Sequence, residues 1–279
     1  MKHWVTVAGR VAGGLLAAAA GVAALGTLRW NRATTRAVAR LDQPAAAPPA
    51  YQPEQLAGLP APVARYFRFA LAPGQLPVRR ARLHEQGEFR TAPDAPWSPF
   101  TADHHVQTMP PGFVWDARIW LLPVLPVRVR DAYLGGAGAM QDAFAGVVPV
   151  VDEAGRPDLN AGALLRYLAE AVWYPTALLP GQGVRWSPLD EHRALATLTD
   201  GSTTVSLEFH FGAQGEVVRV YTPARFRDVN GHGVPTPWGG TFGGYARLGG
   251  MMRPQRGEVS WFLPEGEFAY WRGRLRSEP

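Results

Sequence analysis

Residues 204–211 read Thr-Val-Ser-Leu-Glu-Phe-His-Phe, with Val205, Leu207, Phe209 and Phe211 on one parity and Thr204, Ser206, Glu208 and His210 on the other. Successive side chains of a strand point to opposite faces, so this spacing describes a strand buried on one side only. Upstream, Asp200-Gly201 closes a hairpin with residues 192–199, and downstream the turn at 212–215 leads into residues 216–221, which makes a three-stranded meander. Val259, Trp261 and Leu263 alternate with Glu258, Ser260 and Phe262, and Pro264-Glu265-Gly266 turns the chain into a last strand at 267–276. The same alternation recurs at 78–90, 99–109, 112–121, 127–134 and 139–148, for about ten strands in all. One helix interrupts them, from a cap at Asp158 or Asn160 through Tyr174 to the stop at Pro175. Its Leu164, Leu165, Leu168, Ala171 and Val172 share one apolar arc, flanked by Tyr167 and Tyr174.

Ten antiparallel strands do not stay flat, and a helix lying in the concavity of a curled sheet fills it. The expected fold class is therefore mainly β (α+β), a curved antiparallel sheet or half-barrel of about ten strands with one long helix packed against it. A closed barrel and a sandwich also fit the strand pattern. The half-barrel is preferred because the helix must bury its apolar arc.

The chain has 279 residues, 47% of them hydrophobic and 18% charged, which is the composition of a globular protein with a substantial core. It has no cysteine, so disulfides, cysteine nucleophiles and thiolate metal sites are excluded, whereas the redox compartment stays open. Lys2 is the single lysine, which removes Schiff-base and P-loop chemistry from the body. The net charge of +5 resides in the first forty residues, which carry Lys2, Arg10, Arg29, Arg32, Arg36 and Arg40 and no acid. The remaining body is near neutral and offers phosphates no basic footprint, so a nucleic-acid partner is not expected.

Residues 11–28 form an uncharged run rich in Ala, Gly, Leu and Val, between Arg10 and the group Arg29, Trp30 and Arg32. Eighteen residues are about the minimum for a membrane-spanning helix, and an interfacial Trp with basic neighbours suits an uncleaved anchor better than a signal peptide, the competing reading. The expected organisation is a membrane anchor at 1–31, a basic helix and Pro/Ala-rich tether at 32–54, and a β-rich half-barrel domain at 55–279. Basic residues flank both ends of the run, which leaves the side of the membrane open. Within the body, residues 63–71 form a short amphipathic helix placing Val63, Tyr66, Phe67 and Ala70 together, a packing helix or a second membrane-surface helix.

The stretch RYLAEAVWYPTALLP at 166–180, with Val184-Arg185-Trp186, Asp190 and WGGTFGGYARLGG at 238–250, resembles an uncharacterised bacterial membrane-anchored family, domain of unknown function 6544. LPAPVARYFRFAL at 59–71 and the stretch from Trp115 through Met140 fit the same pattern, so the resemblance covers about residues 55–276. It implies an N-terminally anchored β-rich protein and brings no catalytic or binding residues with it. The order of strands and helix is also similar to the lipoprotein-carrier half-barrels that shelter acyl chains, a likeness of fold.

Motif searches remove several chemistries. There is no G-x-S-x-G, H-E-x-x-H or P-loop, Gly136–Gln141 does not complete a dinucleotide fingerprint, and Asp228–Gly233 lacks the ligand spacing of a calcium loop. His104 and His105 are adjacent on a strand and point to opposite faces, so neither a metal nor a cofactor is expected. Asp131 shares the parity of Val127, Val129 and Tyr133, and an acid on a core face needs a partner. Arg118 on the neighbouring strand is the expected one, either in a structural ion pair or in an anchor for a ligand headgroup. Glu170 pairs with Arg166 at i−4 on the expected solvent side of the helix, and Trp173 lies off its apolar arc. Trp115, Arg118, Asp131, Tyr133, Trp173, Tyr174 and Trp238 form the expected ligand-binding set. The favoured reading is a membrane-tethered binder of an apolar or amphiphilic small molecule, plausibly lipid. A structural or interaction module with a fully packed core and an enzyme using Asp, Glu or His are the alternatives.

Overall fold

Period-two patterning carries through into strands that pair almost entirely with their sequence neighbours. In the computed structural model, which describes residues 2–42, 48–121 and 126–276 with the side chains of 2–20 excepted, helix α1 (Lys2–Arg40) precedes α2 (Ala61–Ala70). Six strands follow: β1 (Arg80–Phe89), β2 (Ser98–Thr108), β3 (Pro111–Ile119), β4 (Val127–Leu134), β5 (Ala137–Phe144) and β6 (Val148–Ala154). After α3 (Pro157–Glu170) come β7 (Arg185–Pro188), β8 (Arg193–Asp200), β9 (Thr203–Phe211), β10 (Val217–Val229) and β11 (His232–Gly243). A small ribbon, β12 (Ala246–Leu248) and β13 (Met251–Arg253), leads to β14 (Arg256–Leu263) and β15 (Gly266–Leu275).

Thirteen strands form one antiparallel sheet in the order β6-β5-β4-β3-β2-β1-β15-β14-β11-β10-β9-β8-β7, and β12 pairs with β13 apart from it. The sheet is three strands larger than the sequence pattern predicts. The additional strands are β6, β7 and β11. β11 hides behind Pro235, Pro237, Gly239 and Gly240, which break an alternating pattern, and β7 is only four residues long. The closing β14–β15 hairpin sits in the middle of the sheet because β15 pairs with β1, so the chain's last strands join its two wings.

The sheet curls around α3, which packs against β3, β4 and β5 of one wing and against β9 and β10 of the other. Leu164 and Leu168 are fully buried between them. At Gly138 the helix comes so close that a Cβ would lie 2.6 Å from the Leu159 carbonyl oxygen, and the Gly138 amide donates to Asn160 Oδ1 at 2.8 Å. The α-helix ends at Glu170, earlier than its hydrophobic arc suggests, and a 3-10 turn carries Ala171–Trp173. α2 is a packing helix: Tyr66 and Phe67 are fully buried, against Phe211 and Trp186 respectively.

α1 lies on the convex face. Gly26, Trp30, Thr34 and Leu41 recur at helical spacing and turn towards β3, β4 and the β5–β6 turn. Trp30 is 7% exposed and donates from Nε1 to Asp116 Oδ1 at 2.9 Å, with the Arg130 guanidinium 4.5 Å from its ring centre. Thus the basic segment after Trp30 is a helix docked on the sheet. Residues 43–47 of the expected tether lie outside the described residues, and Tyr51 at its far end is 1% exposed and joined by backbone bonds to Gly74 and Gln75. Among the described residues no helix is long and apolar enough to cross a membrane; of the expected span at 11–28, the side chains of 11–20 lie outside them.

Candidate functional site

Strand register assembles the site. The pairs Leu83↔His104, His104↔Trp115, Trp115↔Asp131 and Asp131↔Met140 form one row across β1 to β5. Side chains in such a row share a face, and here it is the concave one. Glu85, two residues along from Leu83, and Asp142, two along from Met140, extend the same polar strip.

These groups form a linked circuit with α3. Trp115 Nε1 donates to Glu85 Oε2 at 2.8 Å, and Glu85 Oε1 lies 3.0 Å from His104 Nδ1. Glu85 is 1% exposed and His104 is fully buried, so each needs the other to offset desolvation. Arg166 donates from Nε to Glu170 Oε1 at 2.8 Å and from Nη1 to Asp131 Oδ2 at 2.6 Å. Its guanidinium lies 4.8 Å from the Trp115 ring centre and 5.2 Å from that of Phe113. Burial works against the Arg166 charge, but Glu170 and Asp131 outweigh it and hold its pKa above the ordinary arginine value.

The circuit is incomplete at several points. His104 Nε2 and Glu170 Oε2 face each other at 3.6 Å, beyond hydrogen-bond length, and neither has another protein partner. Asp131 Oδ1, Asp142 Oδ1 and Trp173 Nε1 also lack one. Burial raises the Asp131 pKa, with Arg166 opposing, and burial together with the Asp131 charge pushes the Asp142 carboxyl up to about 7.

All but His104 and Glu85 border a cavity of about 500 Å³ between the sheet and α3. Phe113, Trp115, Trp173, Trp238, Trp261 and Trp271 supply much of its aromatic wall, and Leu121, Met140 and Phe226 at its edge are 40%, 37% and 42% exposed, which marks the mouth. On the far wall Arg225 lies 4.7 Å from the Trp238 ring centre and 5.4 Å from that of Trp261. Trp238 Nε1 in turn donates to Tyr270 Oη at 3.0 Å. A predominantly apolar pocket with a few convergent polar groups is the general form of a small-molecule site. A wider groove of about 850 Å³ includes Gln86, Glu88, Trp120, Arg256 and Arg272, but it is open to solvent and its Glu88 and Arg272 already pair with each other. Among the described residues no group of three or more His, Asp and Glu side chains is arranged to hold a metal ion.

Four of the seven residues singled out from sequence, Trp115, Asp131, Trp173 and Trp238, line the cavity. Arg118 does not: it shares the parity of Asp116, pairs in register with Arg128 and is exposed on the convex side. The expected Asp131–Arg118 ion pair is therefore replaced by Asp131–Arg166. Tyr133 and Tyr174 are fully buried behind the wall, donating to Asp200 Oδ2 at 2.8 Å and to the Tyr167 carbonyl at 3.3 Å. The Arg166–Glu170 pair, expected in solvent, is only 16% exposed at each partner and faces the cavity. Sequence reading also passed over Glu85, Asp142 and Arg225. Glu85 had the signal that singled out Asp131, an acid in parity with a core residue, here Leu83.

No curated protein matches the chain. The LolA superfamily protein NE2245 from Nitrosomonas europaea is a similar solved structure, at 12% identity over 78% of this chain and 93% of that one, with a TM-score of 0.36. The family model described as "Family of unknown function (DUF6544)" matches residues 49–273, and the chain belongs to that family.

Proposed function

We propose that this protein is a membrane-tethered binder of an amphiphilic small molecule, whose apolar part lies against the tryptophan wall and whose polar part meets Arg166, Asp131 and Asp142. One observation carries the reading: the 500 Å³ cavity combines aromatic walls with buried polar atoms that have no protein partner. A module packed wholly by its own side chains would leave neither. Acyl chains suit the volume and the walls, so the ligand class is lipid-like, and residues 11–28 supply a single-pass tether to the bacterial cell membrane.

An enzymatic reading has one observation in its favour, the elevated Asp142 beside Asp131. The buried histidine weighs against it, because His104 is fully enclosed behind Trp115 and does not border the cavity. Binding is tested with residues 29–279, which keep the docked segment from Trp30 to Leu41. A fluorescent fatty acid titrated into this fragment gives a saturable signal, and Val259→Trp, which places an indole in the cavity, abolishes it. Equal signals from the two proteins would refute the reading.

A further inference from the structure

The turn between β5 and β6 is exposed and apolar in a way the cavity does not explain. Residues 143–151 read Ala-Phe-Ala-Gly-Val-Val-Pro-Val-Val, nine residues without a charge between Asp142 and Asp152. Phe144 is 41% exposed, Val147 37%, Val148 58% and Val150 56%. They lie at the outer edge of the sheet, because β6 is its terminal strand. Edge strands facing water are normally blunted by charge, and a contiguous apolar patch marks a contact surface.

The position of α1 identifies what covers it. The helix crosses the convex face from Gly26, where a Cβ would run into Val147 and come within 3.0 Å of the Gly146 carbonyl oxygen, to Leu41, which lies against Gly112. Gly112 lies at the opposite end of the sheet, since the pairs Thr108↔Pro111 and Leu134↔Ala137 close that end while Ile119↔Val127 and Val127↔Phe144 close the other. The amino-terminal part of α1 therefore leaves the body at the end bearing Phe144 to Val148. Gly26 belongs to the last turn of the uncharged run at 11–28, so the β5–β6 turn stands level with the end of that run. Val22, Leu25 and Leu28 on the same helix are 53%, 58% and 52% exposed, and Arg29 and Arg32 follow directly. Apolar side chains at one level with basic ones just beyond it match the step from acyl chains to headgroups.

We infer that the β5–β6 turn, through Phe144, Val147, Val148 and Val150, docks into the headgroup boundary of the bilayer beside α1. The inference rests on the membrane-anchor reading. It also sets the direction of the cavity: Leu121 at the mouth follows Ile119 on the same end of the sheet, so the mouth opens towards the membrane and an amphiphile passes between them without crossing water.

The absence of native cysteine makes the test direct. Full-length Val148→Cys and Val150→Cys proteins, each carrying an environment-sensitive fluorophore, are reconstituted in phosphatidylcholine–phosphatidylglycerol vesicles containing brominated lipid. Ser202→Cys, in the turn between β8 and β9, serves as reference. Docking predicts that the vesicles float with the protein, that the probes at 148 and 150 are quenched and that the probe at 202 is not. Flotation without quenching at 148 and 150 overturns docking and leaves the anchor. Failure to float overturns both and leaves the cavity reading untouched. A blue shift at 148 that grows with protein concentration without vesicles overturns it in favour of pairing between copies through β6.

Discussion

The two faces of the sheet each bury an arginine against an aspartate, and they do so differently. On the convex face Asp116 is saturated: Oδ1 accepts from Trp30 Nε1 at 2.9 Å, Oδ2 from Thr34 Oγ1 at 3.1 Å, and Arg128 Nη2 lies 3.2 Å from both. On the concave face Asp131 uses one oxygen on Arg166, while its other oxygen, Asp142 Oδ1, Glu170 Oε2 and Trp173 Nε1 have no hydrogen-bond partner in the protein. Saturation of a buried polar group is how a fold holds itself together; an unfilled group beside a cavity is how it holds something else. The convex cluster locks α1 to the body, and the concave one leaves polar atoms without hydrogen-bond partners beside the cavity.

The largest effect expected from this contrast is on stability. Asp116→Ala leaves the Arg128 charge without its carboxylate, with Asn31 Oδ1 at 3.1 Å as its remaining acceptor, strands the Trp30 indole and destabilises residues 29–279 by about 3 kcal/mol in denaturant unfolding, with fatty-acid uptake unchanged. A loss below about 1 kcal/mol, the range of surface pairs, breaks the comparison on its convex side. Val259→Trp has the converse profile, an abolished uptake with unfolding free energy within about 1.5 kcal/mol of wild type, because the added ring enters existing space. Strong destabilisation would mean that the space is not available.

A third prediction concerns pH. The Asp142 carboxyl is raised to about 7 from an ordinary value of 3.8. The unfolded chain therefore releases this proton first. The group contributes no penalty below the unfolded value, stability falls as pH rises between the two values, and the penalty is complete above the folded one. Asp142→Asn removes that dependence, so its Tm matches wild type in the acid range and exceeds it increasingly up to pH 8. A constant gap across the range would contradict the placement of Asp142 in a poorly solvated strip. The smallest effect is that of Trp173→Phe, which keeps the ring and removes the unpartnered N–H. Uptake weakens by about 1 kcal/mol if the ligand accepts that hydrogen bond, and stability is unchanged.

The fold was legible where strands are half-buried. β9 shows its alternation in eight residues, whereas β11 carries two prolines and two adjacent glycines and shows no alternation that marks its length. The candidate site was legible on the strands and obscure on the helix. Parity placed Asp131 on the core face of its strand, but register, which sets Trp115 beside it and Arg118 on the other face, and the element that enters the concavity decide its partner. A helical wheel assumes one wet side, so it placed Arg166 and Glu170 in solvent. Here the sheet curls around both flanks of α3, and the side opposite the leucines faces the cavity. Trp173, off the apolar arc on the wheel, lies on the same cavity side, carried there by the 3-10 turn after Glu170.

The central claim is that the concave cavity holds an amphiphile. Native mass spectrometry of residues 29–279, followed by solvent extraction of the same sample, tests it most directly. The account predicts a reproducible adduct that enters the organic phase and is absent from the Val259→Trp protein. A bare protein mass for wild type, with no saturable uptake of the fluorescent fatty acid, would contradict it.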